Sequence, residues 1–101
     1  MGKQKPTFDL DSIKAEFSTV VTLRITRTAQ DDAARLGFGL QGVVDIIQSM
    51  RRDQFYKSMT SYRDAQTWQD VYHVPIRPGL VLYVKFTIDL DGKLVISFKE
   101  K

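Results

Sequence analysis

The chain contains no cysteine and a single histidine, His73. Disulfides and thiolate metal sites are therefore excluded, and one imidazole cannot assemble the usual zinc ligand sets. Any chemistry is expected to run without a metal or other cofactor, and the missing cysteine agrees with a reducing compartment. No apolar run approaches the length of a signal sequence or a membrane span, so the expected location is the cytoplasm, away from membranes. Repeats, low-complexity blocks and linker-like composition shifts are also lacking.

What is present fits one domain. A chain of 101 residues leaves no room for a second core, and a domain this size buries roughly two-thirds of its unfolded surface. Hydrophobic residues at 43% supply enough material for one packed core. Lys and Arg number 15 against 12 acids, a net charge of +3, which is compatible with a polyanionic partner but does not by itself name one. Residues 1–7 are short, polar and basic and read as a flexible N-terminus, with residues 8–101 as a single continuous domain.

The N-terminal half reads as helical and the C-terminal half as strands. Asp9 is placed to cap a helix over residues 10–17, in which Leu10, Ile13 and Phe17 share one face. The β-branched run at residues 20–26 predicts a strand. Thr28 followed by Asp31 has capping-box spacing and opens a second helix that ends near Leu36, with Gly37 as its stop. From Gln41, the stripe Val43, Ile46, Ile47 and Met50 predicts a third helix facing the core. Residues 55–62 and 68–74 are candidate strands joined by the polar segment Arg63-Asp64-Ala65-Gln66. Trp68 reads as a core residue, and Pro75 and Pro78-Gly79 are expected to break the chain after them.

The last two strands are the best specified. Leu82, Val84, Phe86 and Ile88 alternate with Tyr83, Lys85 and Thr87, and Leu94, Ile96 and Phe98 alternate with Val95, Ser97 and Lys99. A three-residue loop Leu90-Asp91-Gly92, with Gly92 in the left-handed conformation, pairs Phe86 with Ile96 and Val84 with Phe98. A two-residue Asp91-Gly92 turn would set Phe86 against Ser97 and move an apolar set to the wrong face. The chosen register puts Tyr83 opposite Lys99 on the polar face. The fold class expected is α+β, an antiparallel sheet with N-terminal helices on one face.

The stretch Phe55-Tyr56-Lys57-Ser58-Met59-Thr60-Ser61-Tyr62, followed by Trp68-Gln69-Asp70-Val71-Tyr72, resembles the central signature of the MqsR toxins. The ending Val95-Ile96-Ser97-Phe98-Lys99-Glu100-Lys101 and the segment Thr26-Arg27-Thr28-Ala29 are similar to that family's C-terminus and early segment, so the resemblance covers nearly the whole chain. It implies a fold similar to the RelE and YoeB ribonuclease toxins. It also implies a sequence-selective endoribonuclease that cuts free messenger RNA at GCU-like triplets and thereby arrests translation and growth. A cognate antitoxin that binds zinc and DNA and silences the toxin is implied as well. Within that family the residues linked to cleavage fall here on Lys57, Gln69 and Tyr83, with Lys99 a further candidate. The segment from His73 to Leu82 departs from the family in length and content, and His73 stands where an arginine is common.

RNA cleavage without a metal needs a group to take the 2′-hydroxyl proton, a cation for the phosphorane and an acid for the 5′-oxygen, leaving a 2′,3′-cyclic phosphate and a 5′-hydroxyl. Lys57 fits the cation or proton donor, since an ammonium shifts its pKa readily. Tyr83 fits the acid or base beside Lys85 or Lys99, and Gln69 can bond a phosphate oxygen or base edge without shuttling protons. Tyr56, Lys85 and Lys99 are the RNA-binding candidates. Tyr56 and Tyr62 are able to stack on unpaired bases; core or rim packing is the blander role for each. Arg51-Arg52 is a short basic cluster of the kind that is usually solvated. A regulator that binds RNA or DNA without cutting it is the alternative reading, against which the intact Lys57, Gln69 and Tyr83 stand.

Overall fold

The structure is a computed structural model that describes residues 2–60 and 67–100. Its elements run β1 (Gly2–Lys3), α1 (Leu10–Glu16), α2 (Arg27–Arg35), α3 (Leu40–Ser49), a 3-10 turn (Arg52–Gln54), β2 (Phe55–Thr60), β3 (Trp68–Arg77), β4 (Leu80–Ile88) and β5 (Leu94–Glu100). The strands form one antiparallel sheet in the order β1-β2-β3-β4-β5. This is the α+β architecture expected, and Tyr62 and the segment Arg63-Asp64-Ala65-Gln66 lie outside the described residues.

The helices cover one face of the sheet. Asp9 caps α1 by accepting from Ser12 N at 3.0 Å. Leu10, Ile13 and Phe17 then join Val43, Ile47 and Met50 of the third helical stripe in the core. Against them stand Tyr72, Val74, Leu82, Val84, Phe86, Ile96 and Phe98, the alternate residues of β3, β4 and β5. The β4–β5 register is the one argued from the sequence: Phe86 pairs with Ile96, Val84 with Phe98 and Tyr83 with Lys99. Asp89 N donates to Lys93 O at 2.8 Å, which closes the loop Leu90-Asp91-Gly92, and Gly92 takes φ 75°.

Four expectations are corrected. Residues 20–26 form no strand: Val20 and Val21 are exposed, and only Ile25 makes a bridge, parallel to Ile96. A β-branched run needs a partner edge, and only residues 24–26 reach β5. The cap of α2 is Thr26, whose Oγ1 accepts from Ala29 N at 3.1 Å, because the chain leaves β5 extended there and Thr28 is already helical. Pro75 does not break β3; it pairs with Val81 just before a bulge, and the turn falls on Pro78-Gly79 with Gly79 at φ 83°. Trp68 is half-buried at the sheet's end, outside the core, with Lys3 Nζ 4.3 Å over its ring.

The N-terminal residues are tied to the sheet from the helix side. Asp70, completely buried, accepts from Thr7 N at 3.0 Å and Phe8 N at 2.7 Å, while Thr7 Oγ1 and Ser58 Oγ lie 2.8 Å apart. Burial, and after it the Asp70 carboxylate, pushes the Tyr72 phenol up to about 12.

Candidate functional site

Alternation along the strands sends a second set of side chains to the sheet face that carries no helix. Lys57, Val71, Lys85 and Ser97 form one row across β2 to β5. The row beside it holds His73, Tyr83 and Lys99, and on the other side Met59 pairs with Gln69. Neighbouring strands are about 4.8 Å apart, so Lys57 and Lys85 stand on strands separated by about 10 Å. Gln69 is the diagonal neighbour of Lys57, with Cα atoms about 7–8 Å apart.

A bulge shapes the β2 end of this face. Phe55 pairs with Tyr72 and Lys57 with Val71, which leaves Tyr56 as the extra residue. Phe55 points to the core, its ring edge-on to Tyr72 with centroids 5.5 Å apart. The added residue then turns Tyr56 and Lys57 to the same side. Lys57 Nζ lies 5.2 Å from the Tyr56 ring centre, and Tyr56 stacks on His73 at 4.2 Å. His73 is in turn 5.1 Å from Tyr83, over whose ring Lys99 Nζ sits at 5.7 Å.

The electrostatics follow from composition. Among the described residues, strand alternation brings three lysines and no carboxylate to this face between β2 and β5. Val71 is fully buried although no helix covers it and it lies outside the helix-side core. Its row neighbours are Lys57 and Lys85, whose aliphatic stems are long enough to lie over it and hold their ammonium groups outward. Burial, and secondarily the Lys99 charge, holds the Lys85 ammonium below the ordinary lysine value. A crevice of about 300 Å3 continues the face from Lys85, Ser97 and Lys99 to the start of α2 at Thr26 and Thr28, where Asp32 adds a carboxylate to its wall.

The residues expected from the sequence, Lys57, Gln69, Tyr83, Tyr56, Lys85 and Lys99, therefore share one face. Sequence reasoning missed the arrival of His73 between Tyr56 and Tyr83, and Val71 as the apolar floor. The Phe55-Tyr56-Lys57 run carries no sign of its bulge. Arg51 and Arg52 are ion-paired, to Asp53 at 3.0 Å and Asp11 at 2.7 Å, and are not additional free cations. A cavity of about 730 Å3 lies between α1 and the β4–β5 loop and shares no residue with the lysine face. Its volume is no guide here, because the groups suited to phosphate chemistry stand on an open surface.

A surface with these cations, a phenol and a carboxamide suits a phosphodiester. The family model described as "Motility quorum-sensing regulator, toxin of MqsA" matches residues 5–100. A protein of Escherichia coli (strain K12) named "mRNA interferase toxin MqsR" is 39% identical over 101 residues, the full length of both chains. Matched from end to end in this way, the chain belongs to the MqsR toxin family.

Proposed function

We propose that this protein is the toxin of a toxin–antitoxin pair and that it cleaves messenger RNA on the open sheet face. The observation that carries the reading is the collection of Lys57, Lys85 and Lys99 on one face with Tyr83 and Gln69, in strand rows that hold no carboxylate among the described residues, with Asp32 and Asp53 at the margins. Such a face attracts an RNA backbone, and the protein's own ammonium groups supply positive charge to it.

The reaction is an in-line attack of a ribose 2′-oxygen on the adjacent phosphorus. The 2′-hydroxyl loses its proton, the new P–O2′ bond forms, the P–O5′ bond breaks and the 5′-oxygen takes up a proton. Lys57 sits against the non-bridging oxygens, where negative charge grows. Tyr83, with Lys99 over its ring, exchanges a proton with the reacting oxygens, and Gln69 donates its carboxamide N–H to a phosphate oxygen. Lys85, Lys99 and Tyr56 hold the flanking nucleotides. The products are a 2′,3′-cyclic phosphate and a 5′-hydroxyl.

Residues 8–101 act as one ribonuclease domain of the RelE and YoeB kind, working in the cytoplasm; among the described residues no helix is long and apolar enough to cross a membrane. Family membership supports GCU-like triplets as the cut site and a zinc- and DNA-binding antitoxin as the silencing partner. The test is incubation of the purified chain, in EDTA, with a defined single-stranded RNA containing GCU triplets. Cuts at those triplets with cyclic-phosphate ends support the proposal. RNA that is bound but left intact favours a non-cleaving regulator.

A further inference from the structure

Beside the aromatic end of the lysine face is a cavity of about 440 Å3 that the cleavage chemistry does not use. We propose that it is a nucleobase pocket, which seats one unpaired base of the RNA next to the reacting phosphate. This inference rests on the ribonuclease reading for its ligand, and it adds a site that chooses which nucleotide stands beside the cut.

The cavity lies between the 3-10 turn before β2 and the strands. Arg51, Asp53 and Gln54 form one side, and Tyr56, His73 and Pro75 the other. Its volume is at the small end of ligand-sized pockets, roughly 300–1,000 Å3, which suits a single nucleotide better than a longer segment. The wall chemistry separates a base from a phosphate. Arg51 and Asp53 are bonded to each other at 3.0 Å, so the pocket wall brings a donor and an acceptor with no net charge. Phosphates are drawn to the ammonium groups of Lys57, Lys85 and Lys99 nearby, and a neutral, planar group with a hydrogen-bonding edge is what remains to fill this space. A carboxylate and a guanidinium at the wall can address such an edge.

The aromatic side is built for contact. The β2 bulge turns Tyr56 out to the open face, where it is 45% exposed although stacked on His73. Tyr56, His73 and Tyr83 make a continuous run of rings, with centroid separations of 4.2 Å and 5.1 Å, from the pocket to the proposed proton carrier. A base held here fixes the position of its own ribose and phosphate over Lys57, the next residue along the same bulge.

The test is equilibrium binding of the full-length chain to short 2′-O-methyl RNA oligomers, which lack the attacking hydroxyl, with the base deleted at each position in turn. Wild type is expected to lose about 5- to 150-fold in affinity at one position, the range for one stacked base. In Tyr56→Ala that same deletion is expected to cost nothing further, while deletions elsewhere cost what they cost wild type. Asp53→Asn, at an exposed side chain whose change leaves the fold intact, is expected to alter the preferred base at that position alone. A Tyr56→Ala loss that adds equally to every deletion overturns the pocket. Cleavage of unmodified RNA by wild type with no Tyr56-dependent position sinks the pocket and leaves the ribonuclease reading standing. A Tyr56-dependent position without cleavage does the reverse, and failure to bind any oligomer together with no cleavage of unmodified RNA ends both.

Discussion

Removing the Asp70 carboxylate should destabilise the protein and loosen the strands that carry Lys57 and Gln69. Asp70 is completely buried, and its two oxygens accept from the backbone N–H groups of Thr7 and Phe8. Hydrogen bonds to a charged group contribute roughly 1.5–3 kcal/mol each. Thr7 is exposed and its N–H can be rehydrated, so the lower half of the summed range applies to Asp70→Ala, about 3–4 kcal/mol. For a domain of this size each kcal/mol moves Tm by roughly 4–8 °C. Urea unfolding followed by circular dichroism, with an unchanged m-value, reads the effect. Asp70→Asn keeps one acceptor and should lose roughly half as much. Cleavage at a temperature where the variant is still folded should also fall, because Ser58 and Asp70 stand next to Lys57 and to Gln69 and Val71 on the same strands. A loss below about 1 kcal/mol for Asp70→Ala would mean that desolvation of the carboxylate cancels both bonds, and that Asp70 does not anchor the N-terminal segment.

The Tyr72 phenol is held at about 12, so its contribution to stability is full below pH 10 and is lost as pH rises through 12. Tyr72→Phe should therefore flatten the alkaline fall by about 2 kcal/mol between pH 9 and pH 11.5, read from urea titrations at those two values. RNA binding favours the charged form of Lys85, whose value is lowered in the free protein. Affinity should thus decline with rising pH earlier than an ordinary lysine dictates, and Lys85→Arg should remove that decline in a binding titration. Gly92→Ala, forced to φ 75° in open space, should cost about 1–2 kcal/mol in thermal unfolding without altering cleavage.

How much of the fold and the site is legible in the sequence depends on where the determinants sit. The β4–β5 register follows from alternation and one glycine, both local in sequence, and so the pairing of Tyr83 with Lys99 follows from the sequence alone. The same alternation on β3 and β4 places Gln69, Tyr83 and Lys85 on the polar side. What alternation cannot show is the bulge at Tyr56, because an extra residue in β2 is defined only against β3. Without it, Tyr56 and Lys57 would face opposite sides of the sheet. The run at residues 20–26 misleads for a related reason: its β-branched residues state a propensity, and only the packing of the finished sheet decides whether an edge is there to meet them. Asp70 reads in sequence as a charge between Gln69 and Val71. Its role as the anchor of Thr7 and Phe8 spans more than sixty residues and has no local sign.

The central claim, that the lysine face itself cuts RNA, is tested most directly by comparing wild type, Lys57→Ala and Lys93→Ala for cleavage and binding of one RNA in EDTA. Lys93 belongs to the cavity on the other side of the molecule. Lys57→Ala is expected to lose about 100- to 1,000-fold in cleavage rate, the usual effect of removing a donor to developing charge, while binding changes only a few-fold and Lys93→Ala cleaves like wild type. Cleavage by Lys57→Ala at the wild-type rate, or activity that disappears in EDTA and returns with a divalent cation, would contradict the claim.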